Sequence, residues 1–483
     1  LVDSTFRLVI NEKSELGSRY QVRGVLSKEP ERQKMTLVSK TEDLIEMRST
    51  NQDVSVQFLR HPFQIKFLRN HTAIVVVNER NLLNFEHLRT KPDPMPESEQ
   101  DMWEDRFRLP PDPIPRGPEA VALDFSFMQA SHLYGIPEHA DHFPLPATAP
   151  NKDSDPYRLF NLDVFEYELY SRMALYGSVP FIHGHSKDFT AGVFWLNAAE
   201  TWVDIRLKET GEWSLTNIFS DNNSTDSESN AHFMSEAGII DVFIMLGPKP
   251  KDVYSQYARL TGVAPLPQLW AISYHQCRWN YMTQDEVIEV SERFDQSLLP
   301  LDAIWLDIEY TDSKKYFTFH PKHFSNPTQM IKKLTKHNRQ LIMIIDPHIK
   351  RDDGYFLHNE ATANGLYVLK HDKEVFQGHC WPGESSYLDF FNPVVTEYYS
   401  DLHLRSKFLP EIDQLNIWND MNEPSVFQSS EITMPRSNLH WDGEQYVEHR
   451  AVHNLYGFKH VAATFSGLLK RTNYNRRPFI LTR

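Results

Sequence analysis

Residues 417–424 read IWNDMNEP, with two carboxylates, Asp420 and Glu423, three positions apart. The apolar run before them, Leu415 to Trp418, predicts a short strand, which delivers both acids at its carboxyl end. Two more acids are placed the same way: Asp307 follows the run in DAIWLDIEY, and Asp346 follows RQLIMII. In parallel α/β folds the ligand site lies along that edge of the sheet. One aspartate there reads equally well as a helix cap, but three on separate strands predict a shared site. Carboxylates flanked by aromatic rings suit hydrolysis of a glycosidic bond, which needs two carboxyl groups across the bond. Trp279, Trp381 and Trp418 offer flat apolar faces to a sugar ring, and each reads equally well as a core tryptophan. Residue types alone leave open which of Asp420 and Glu423 acts.

Other chemistries find less support. No P-loop, dinucleotide-binding glycine fingerprint or zincin motif occurs. The His183-Gly184-His185 triplet and the His139/His142 pair lack a grouped set of further ligands, so they read as structural histidines rather than a metal site.

The elements that position these acids change character along the chain. Up to about residue 250 the period is two: Val54, Val56 and Phe58, then Phe63, Ile65 and Phe67, alternate with polar residues. Together with GVFWLNAAETWVDIRL and GIIDVFIMLG this predicts an antiparallel β-sandwich over 1–255. A Pro-rich acidic insertion near 90–118 reads as an extended or disordered loop, and SDNNSTDSESN as a second polar loop. From 265 to 483 strands alternate with helices. LWAISYH, DAIWLDIEY, RQLIMIIDPH, DQLNIWND and RPFILTR are predicted strands. TQDEVIEVSERF, with Thr283 and Glu286 as a capping box, opens the series of helices between them. Near-continuous apolar strands separated by helices predict a parallel sheet covered by helices, with five strands visible.

Composition narrows the function classes. The chain has 483 residues and is 40% hydrophobic and 24% charged, which predicts a globular protein of more than one domain. A net charge of −15 repels phosphate backbones, so nucleic acid is not an expected partner. No apolar run approaches a membrane span. Cys277 and Cys380 make neither a disulfide framework nor a zinc site. Sequons at Asn70, Asn222 and Asn223 are compatible with a secretory lumen. No signal peptide opens the sequence, and LVDSTFRLVINE and RPFILTR both read as strands cut at the ends, so a fragment or processed chain is expected.

From IWNDMNEPSVF outward the chain resembles the family 31 glycoside hydrolases, most closely their neutral α-glucosidase branch. The likeness extends through LYGIPEHAD, YRLFNLDVFEYELY, ALYGSVP, FWLNAAETWVDI, YHQCRWNY, IWLDIEY, DPHIK, CWPG and RPFILTR. It implies an N-terminal β-sandwich followed by a (β/α)8 TIM barrel, here truncated after about five strands.

The resemblance also implies roles. Asp420 matches the family's nucleophile and Glu423 a supporting position. Trp418 and Met421 match walls around the attack. Asp307, with Ile308 beside it, matches the carboxylate that holds the hydroxyls of the terminal glucose. Ile344, Trp279 and Trp381 match the rest of that subsite, and Arg483 an arginine that bonds glucose near the nucleophile. Asp163 and Phe165 match a sandwich loop over the next sugar, with Phe427 a wall near it. The family's acid/base, in a W-T-G-D-N motif on the sixth barrel strand, has no match among these residues, and neither has a substrate-binding histidine farther on. The chain alone is therefore expected to be inactive.

The implied activity is retaining removal of terminal α-linked glucose, from N-glycans in the endoplasmic reticulum lumen, without metal or organic cofactor. A non-catalytic β-subunit is the implied partner. Action on maltose-like or glycogen-derived glucans, in the lumen or the cytoplasm, is the alternative. A non-catalytic sugar-binding homologue is a second alternative, against which an intact nucleophile motif weighs.

Overall fold

The computed structural model describes residues 1–2, 4–49, 54–106, 111–148, 155–207, 228–408, 410, 412–413 and 415–483. The chain divides into two compact units: Leu1–Ala264 with Arg450–His453, and Pro265–His449 with Asn454–Arg483.

Two large antiparallel sheets form the body of the first unit among the described residues. One orders its strands Thr5–Ile10, Ile240–Met245, Thr190–Trp195, Phe181–His185 and His132–Gly135. The larger runs from Tyr157–Leu159 through Thr201–Leu207, Glu228–Ser235, Val121–Met128 and Thr72–Val77 to Met35–Lys40. Alternation in the sequence becomes two inward faces. Val54, Phe67, Val75, Phe125 and Phe233 of the larger sheet meet Val193, Trp195 and Ile244 of the smaller in one apolar cluster. The one polar atom of the Trp195 side chain, its indole N–H, donates to Ser235 Oγ at 2.8 Å, so the ring is buried without an unmet donor.

The Pro-rich insertion is more ordered than its composition predicts. Glu97–Met102 forms a 3-10 turn, and Glu104–Asp105 pairs with Asp112–Pro113 as a short hairpin. Trp103 is the cause: its ring is buried and its carbonyl accepts from Ile114 N–H at 3.0 Å, which pins the insertion at mid-length. Arg450 holds its far end, donating to Asp112 Oδ2 at 3.2 Å, to the Pro113 carbonyl at 2.8 Å and to Glu236 at 3.0 Å. Of SDNNSTDSESN, residues 228–230 enter the strand Glu228–Ser235, and the rest lies outside the described residues.

The second unit is built on a parallel sheet in the order His275–Gln276, Ala303–Leu306, Gln340–Ile344, Asn416–Asn419, Phe479–Thr482. Helices Gln284–Gln296, Pro327–Lys336, Pro393–Leu402 and Tyr456–Arg471 fall between successive strands. Pro at the first turn and an asparagine cap start two of them: Asn326 accepts from Gln329 N–H and Asn392 from Val394 N–H. Thr283 caps the first helix as predicted, but the reciprocal half of the box is displaced. The Glu286 carboxylate takes Met282 N–H rather than Thr283 N–H.

The first predicted strand, LWAISYH, is corrected by the structure. Leu269–Ile272 is a 3-10 turn, and strand pairing begins only at His275. The run closes on itself, with the Trp270 carbonyl accepting from Ser273 N–H at 3.2 Å. A small antiparallel sheet, His348–Lys350 with Gly383–Tyr387 and Gly378–Cys380, also interrupts the βα alternation. It presents Trp381 at the tip of a hairpin.

Candidate active site

The register of the parallel sheet aligns the acids. Ile344 pairs with Trp418, and Asn419 with Thr482. The residues just beyond these pairs are Asp346, Asp420 and Arg483, all at one edge. Asp307 ends the neighbouring strand and caps the 3-10 turn Ile308–Tyr310, its carboxylate accepting from Ile308 N–H at 2.8 Å.

Arg483 organises the centre. Its Nε donates to Asp420 Oδ1 at 2.7 Å and its Nη2 to Asp420 Oδ2 at 3.2 Å, a two-pronged grip on one carboxylate. Its Nη1 donates to Glu423 Oε1 at 3.0 Å. Met421 Sδ lies 3.3 Å from Nη2. The Asp420 side chain is 13% exposed and the Glu423 side chain 1%. One guanidinium thus separates a carboxylate open to a ligand from a carboxylate sealed behind it. Met421 has φ of 56°, in the left-handed region a methionine rarely occupies. That turn swings the chain out of the strand between Asp420 and Glu423.

The neighbouring carboxyl is tuned differently. Burial pushes Asp307 up, Ile308 N–H pulls it down, and the charges of Asp420 and Glu309 raise it further. Beneath, the Tyr310 hydroxyl donates to the Ile344 carbonyl at 2.9 Å, tying the Asp307 turn to the next strand.

The predicted site residues fall into groups. Asp420, Met421, Glu423 and Arg483 touch directly. Trp418 lies against Trp305 with ring centres 5.5 Å apart, and Ile308 and Ile344 are buried. Trp381 and Phe427 form an edge-to-face pair at 4.7 Å. Trp279 is 71% exposed, its indole N–H directed at Glu309 at 3.4 Å. Asp163 and Phe165 belong to the first unit, where Asp163 is buried and Phe165 is 70% exposed. The histidines passed over as ligands have structural bonds: His139 lies between the carbonyls of Ile136 and Arg158, and the His183 ring stacks on Tyr134.

Sequence reasoning missed two partners of Asp346. Tyr316 OH lies 2.5 Å from Asp346 Oδ2 and 3.0 Å from His348 Nε2. All three side chains are buried. DPHIK places His348 two residues from Asp346, but Tyr316 comes from an irregular segment that carries no periodic signal.

Comparison with known proteins identifies the domains that carry these residues. Residues 1–204 match the glycosyl hydrolase 31 N-terminal galactose mutarotase-like domain, and residues 264–483 the glycosyl hydrolases family 31 TIM-barrel domain. The chain is 40% identical over 496 residues to human neutral alpha-glucosidase C, covering 99% of this chain and 54% of that protein. It is 43% identical over 498 residues to a probable glucan 1,3-alpha-glucosidase of Arabidopsis thaliana, covering 100% of this chain and 53% of that protein. The structure superposes on the glucosidase II alpha subunit bound to alpha3-Glc2 with a TM-score of 0.92 and 40% identity, over 100% of this chain and 54% of that one. It also superposes on the catalytic subunit in an ER glucosidase II heterodimeric complex, with a TM-score of 0.89 and 40% identity, over 99% of this chain and 53% of that one. This chain spans about half the length of the relatives it matches. With both of its domains matched, the chain belongs to glycoside hydrolase family 31.

Proposed function

We propose that the chain carries the nucleophile and first glucose subsite of a retaining exo-α-glucosidase. The observation that carries this reading is the grip of Arg483 on both oxygens of Asp420, with Glu423 behind it, at the carboxyl edge of a parallel sheet. Asp420 attacks the anomeric carbon as the bond to the leaving oxygen breaks. Water then cleaves the glycosyl ester, and two inversions give retention. Arg483 aims Asp420 through its two-pronged grip and is assigned to bond the glucose beside it. Glu423 fixes Arg483. Asp307 holds hydroxyls of the terminal glucose, flanked by Ile308 and Ile344, with Trp279, Trp381, Trp418 and Met421 as walls. Phe427 contacts the next sugar, and Asp163 and Phe165 keep, within the first unit, the loop role that the resemblance implies.

The resemblance implies an acid for the leaving oxygen that none of these carboxyls matches, and none of them is assigned that role. The carboxyls at this edge are otherwise engaged: Asp420 and Glu423 on Arg483, Asp307 as a cap, and Asp346 on Tyr316.

Terminal α-1,3-linked glucose of N-glycans is the proposed substrate, supported by the relatives whose names carry glucan 1,3-alpha-glucosidase and glucosidase II. The likeness to neutral alpha-glucosidase C supports a second reading, action on maltose-like glucans. A regulatory subunit is the proposed partner, as in the heterodimeric relative, and the endoplasmic reticulum lumen the proposed compartment.

The test is mechanism-based. An activated 5-fluoro α-glucosyl fluoride should trap the full-length enzyme as an ester, and peptide mapping should place the label on Asp420. A label elsewhere removes the assignment. Relative rates on α-1,3- and α-1,4-linked glucobioses separate the substrate readings. For the compartment, Asn70 stands exposed in the turn before Thr72–Val77. Glycosidase-sensitive mass on its peptide is expected from native material, and a bare Asn70 together with cytosolic fractionation would rule out the lumen.

A further inference from the structure

The edge of the parallel sheet gathers four carboxyl groups, Asp307, Asp346, Asp420 and Glu423. The guanidinium that reaches them, Arg483, is engaged with Asp420 and Glu423. Asp346 is the member most removed from water, with no accessible surface. Its Oδ2 meets Tyr316 OH at 2.5 Å, and its Oδ1 has no hydrogen-bond partner among the described residues. Tyr316 OH continues to His348 Nε2 at 3.0 Å, and His348 Nδ1 is again without a partner among the described residues. A carboxylate with one bare buried oxygen and no cation is among the costliest arrangements a protein interior can hold, whereas a neutral acid tolerates it.

We propose that Asp346 is a positioning residue that stays protonated and uncharged, at the head of a proton chain through Tyr316 to His348, so that no second negative charge stands behind Asp420. The proposal rests on the reading of Asp420 as nucleophile. The Asp346 carboxyl O–H donates to the Tyr316 oxygen, and the Tyr316 O–H donates to His348 Nε2. His348 keeps its own proton on Nδ1, and all three groups are neutral. A charged Asp346 would instead repel the anion that must attack.

The surroundings act in the same direction. Burial raises the Asp346 carboxyl well above its ordinary range, and the charges of Asp420 and Asp307 raise it further. The Tyr316 hydrogen bond and the Arg483 charge oppose this. Burial lowers His348 to about 3, so it remains neutral. The other titratable groups facing Asp346 are Tyr310, Tyr387 and Tyr399, all held in their neutral forms by burial.

The experiment uses infrared difference spectra of the full-length enzyme, with isotope-labelled aspartate, in wild type and Asp346→Asn. A protonated carboxylic acid band is expected in wild type from about pH 5 to about pH 8, where an ordinary aspartate is ionised. The band should be missing in Asp346→Asn. The amide introduced by Asp346→Asn can donate to Tyr316 as the acid does, and like the protonated acid it carries no charge. The acidic limb of its kcat/KM profile should move by less than about half a pH unit, since no charge has been removed. If Asp346 were ionised, the same substitution would move that limb down by about one unit or more. That shift, or a wild-type spectrum without the band, overturns the proposal. Should Asp346→Asn fail to fold, Asp307→Asn takes its place: a band that survives that substitution belongs to Asp346, and a band lost with it overturns the proposal. Asp420→Asn keeps the two readings apart. Surviving activity there removes the role of Asp420 and leaves the band in place, whereas a dead variant without the band removes only the role of Asp346.

Discussion

Asp420 and Glu423 are three residues apart and both acidic, yet their environments assign them different work. The Asp420 carboxylate is partly open and held at both oxygens, while Glu423 is sealed behind Arg483. Asp420→Asn in the full-length enzyme should leave the fold intact and lower kcat by many powers of ten, since an amide of the same shape is a poor nucleophile. Retention of more than a small percentage of wild-type turnover on an aryl α-glucoside would show the assignment wrong. Asp307→Ala should impair kcat as well as KM. A carboxylate that grips the terminal sugar also fixes the reacting carbon, and a shift of about 1 Å costs about a hundredfold. Unchanged steady-state constants would place Asp307 outside the first subsite and leave it the cap of the Ile308–Tyr310 turn. Position in the sequence revealed these acids because each follows an apolar run. It did not reveal that Asp346 is sealed while Asp420 is open, because that difference comes from Tyr316 and His348, which approach from irregular segments.

The elements were legible where the period was long and uninterrupted. Alternation in 54–59 and 64–69, and the helix opened by Thr283, became the elements they predict. LWAISYH failed because a short apolar run does not distinguish a strand from a 3-10 turn that satisfies its own carbonyls. The insertion near 90–118 failed for the opposite reason: its composition is that of a loop, but a single buried ring, Trp103, orders it. The hairpin carrying Trp381 depends on pairing with His348–Lys350, a nonlocal contact with no local signature. A glycine shows how closely the elements hold the site. Gly457 lies in the helix Tyr456–Arg471, and a Cβ there would stand 2.6 Å from the Asn422 carbonyl. Backbone cannot yield as a flexible side chain does, so Gly457→Ala should push the turn that carries Asp420 and Glu423. Such overpacking costs about 1–3 kcal/mol in stability. The larger expected effect is a fall in kcat of about tenfold or more, because displacement of Asp420, the proposed nucleophile, acts directly on the barrier. A variant with wild-type kcat and only a lowered melting temperature would show that the turn absorbs the methyl group without moving Asp420.

At the scale of the whole molecule, both units bury histidines as neutral rings. Burial lowers His348 and His460 to about 3, and His403 and His183 to about 4. Each is neutral in the fold, while in the unfolded chain it titrates near ~6.5. Between that value and the folded ones, the unfolded state holds more protons. Stability is therefore fully present above ~6.5 and is lost as pH falls toward 4. Asp307, Asp346, Glu79 and Glu119 act in the opposite sense, since burial raises their carboxyls and folding then takes up protons. His139, His232 and His358 are also lowered, so among the described residues the lowered histidines outnumber the raised carboxyls, and the net expectation is acid destabilisation. His460 provides the sharpest test. It accepts at Nε2 from Tyr399 OH at 2.8 Å and lies 3.3 Å from Asn419 Nδ2, on the strand that leads into Asp420. Urea midpoints of the full-length protein should be lower at pH 5 than at pH 7. In His460→Gln, which offers Tyr399 an amide acceptor that does not titrate, the slope of stability against pH should flatten by about one proton over that interval. A midpoint that does not change with pH, or that rises as pH falls, would show that the buried carboxyls dominate. An unaltered slope in His460→Gln would show that His460 titrates in the folded protein as it does in the unfolded chain.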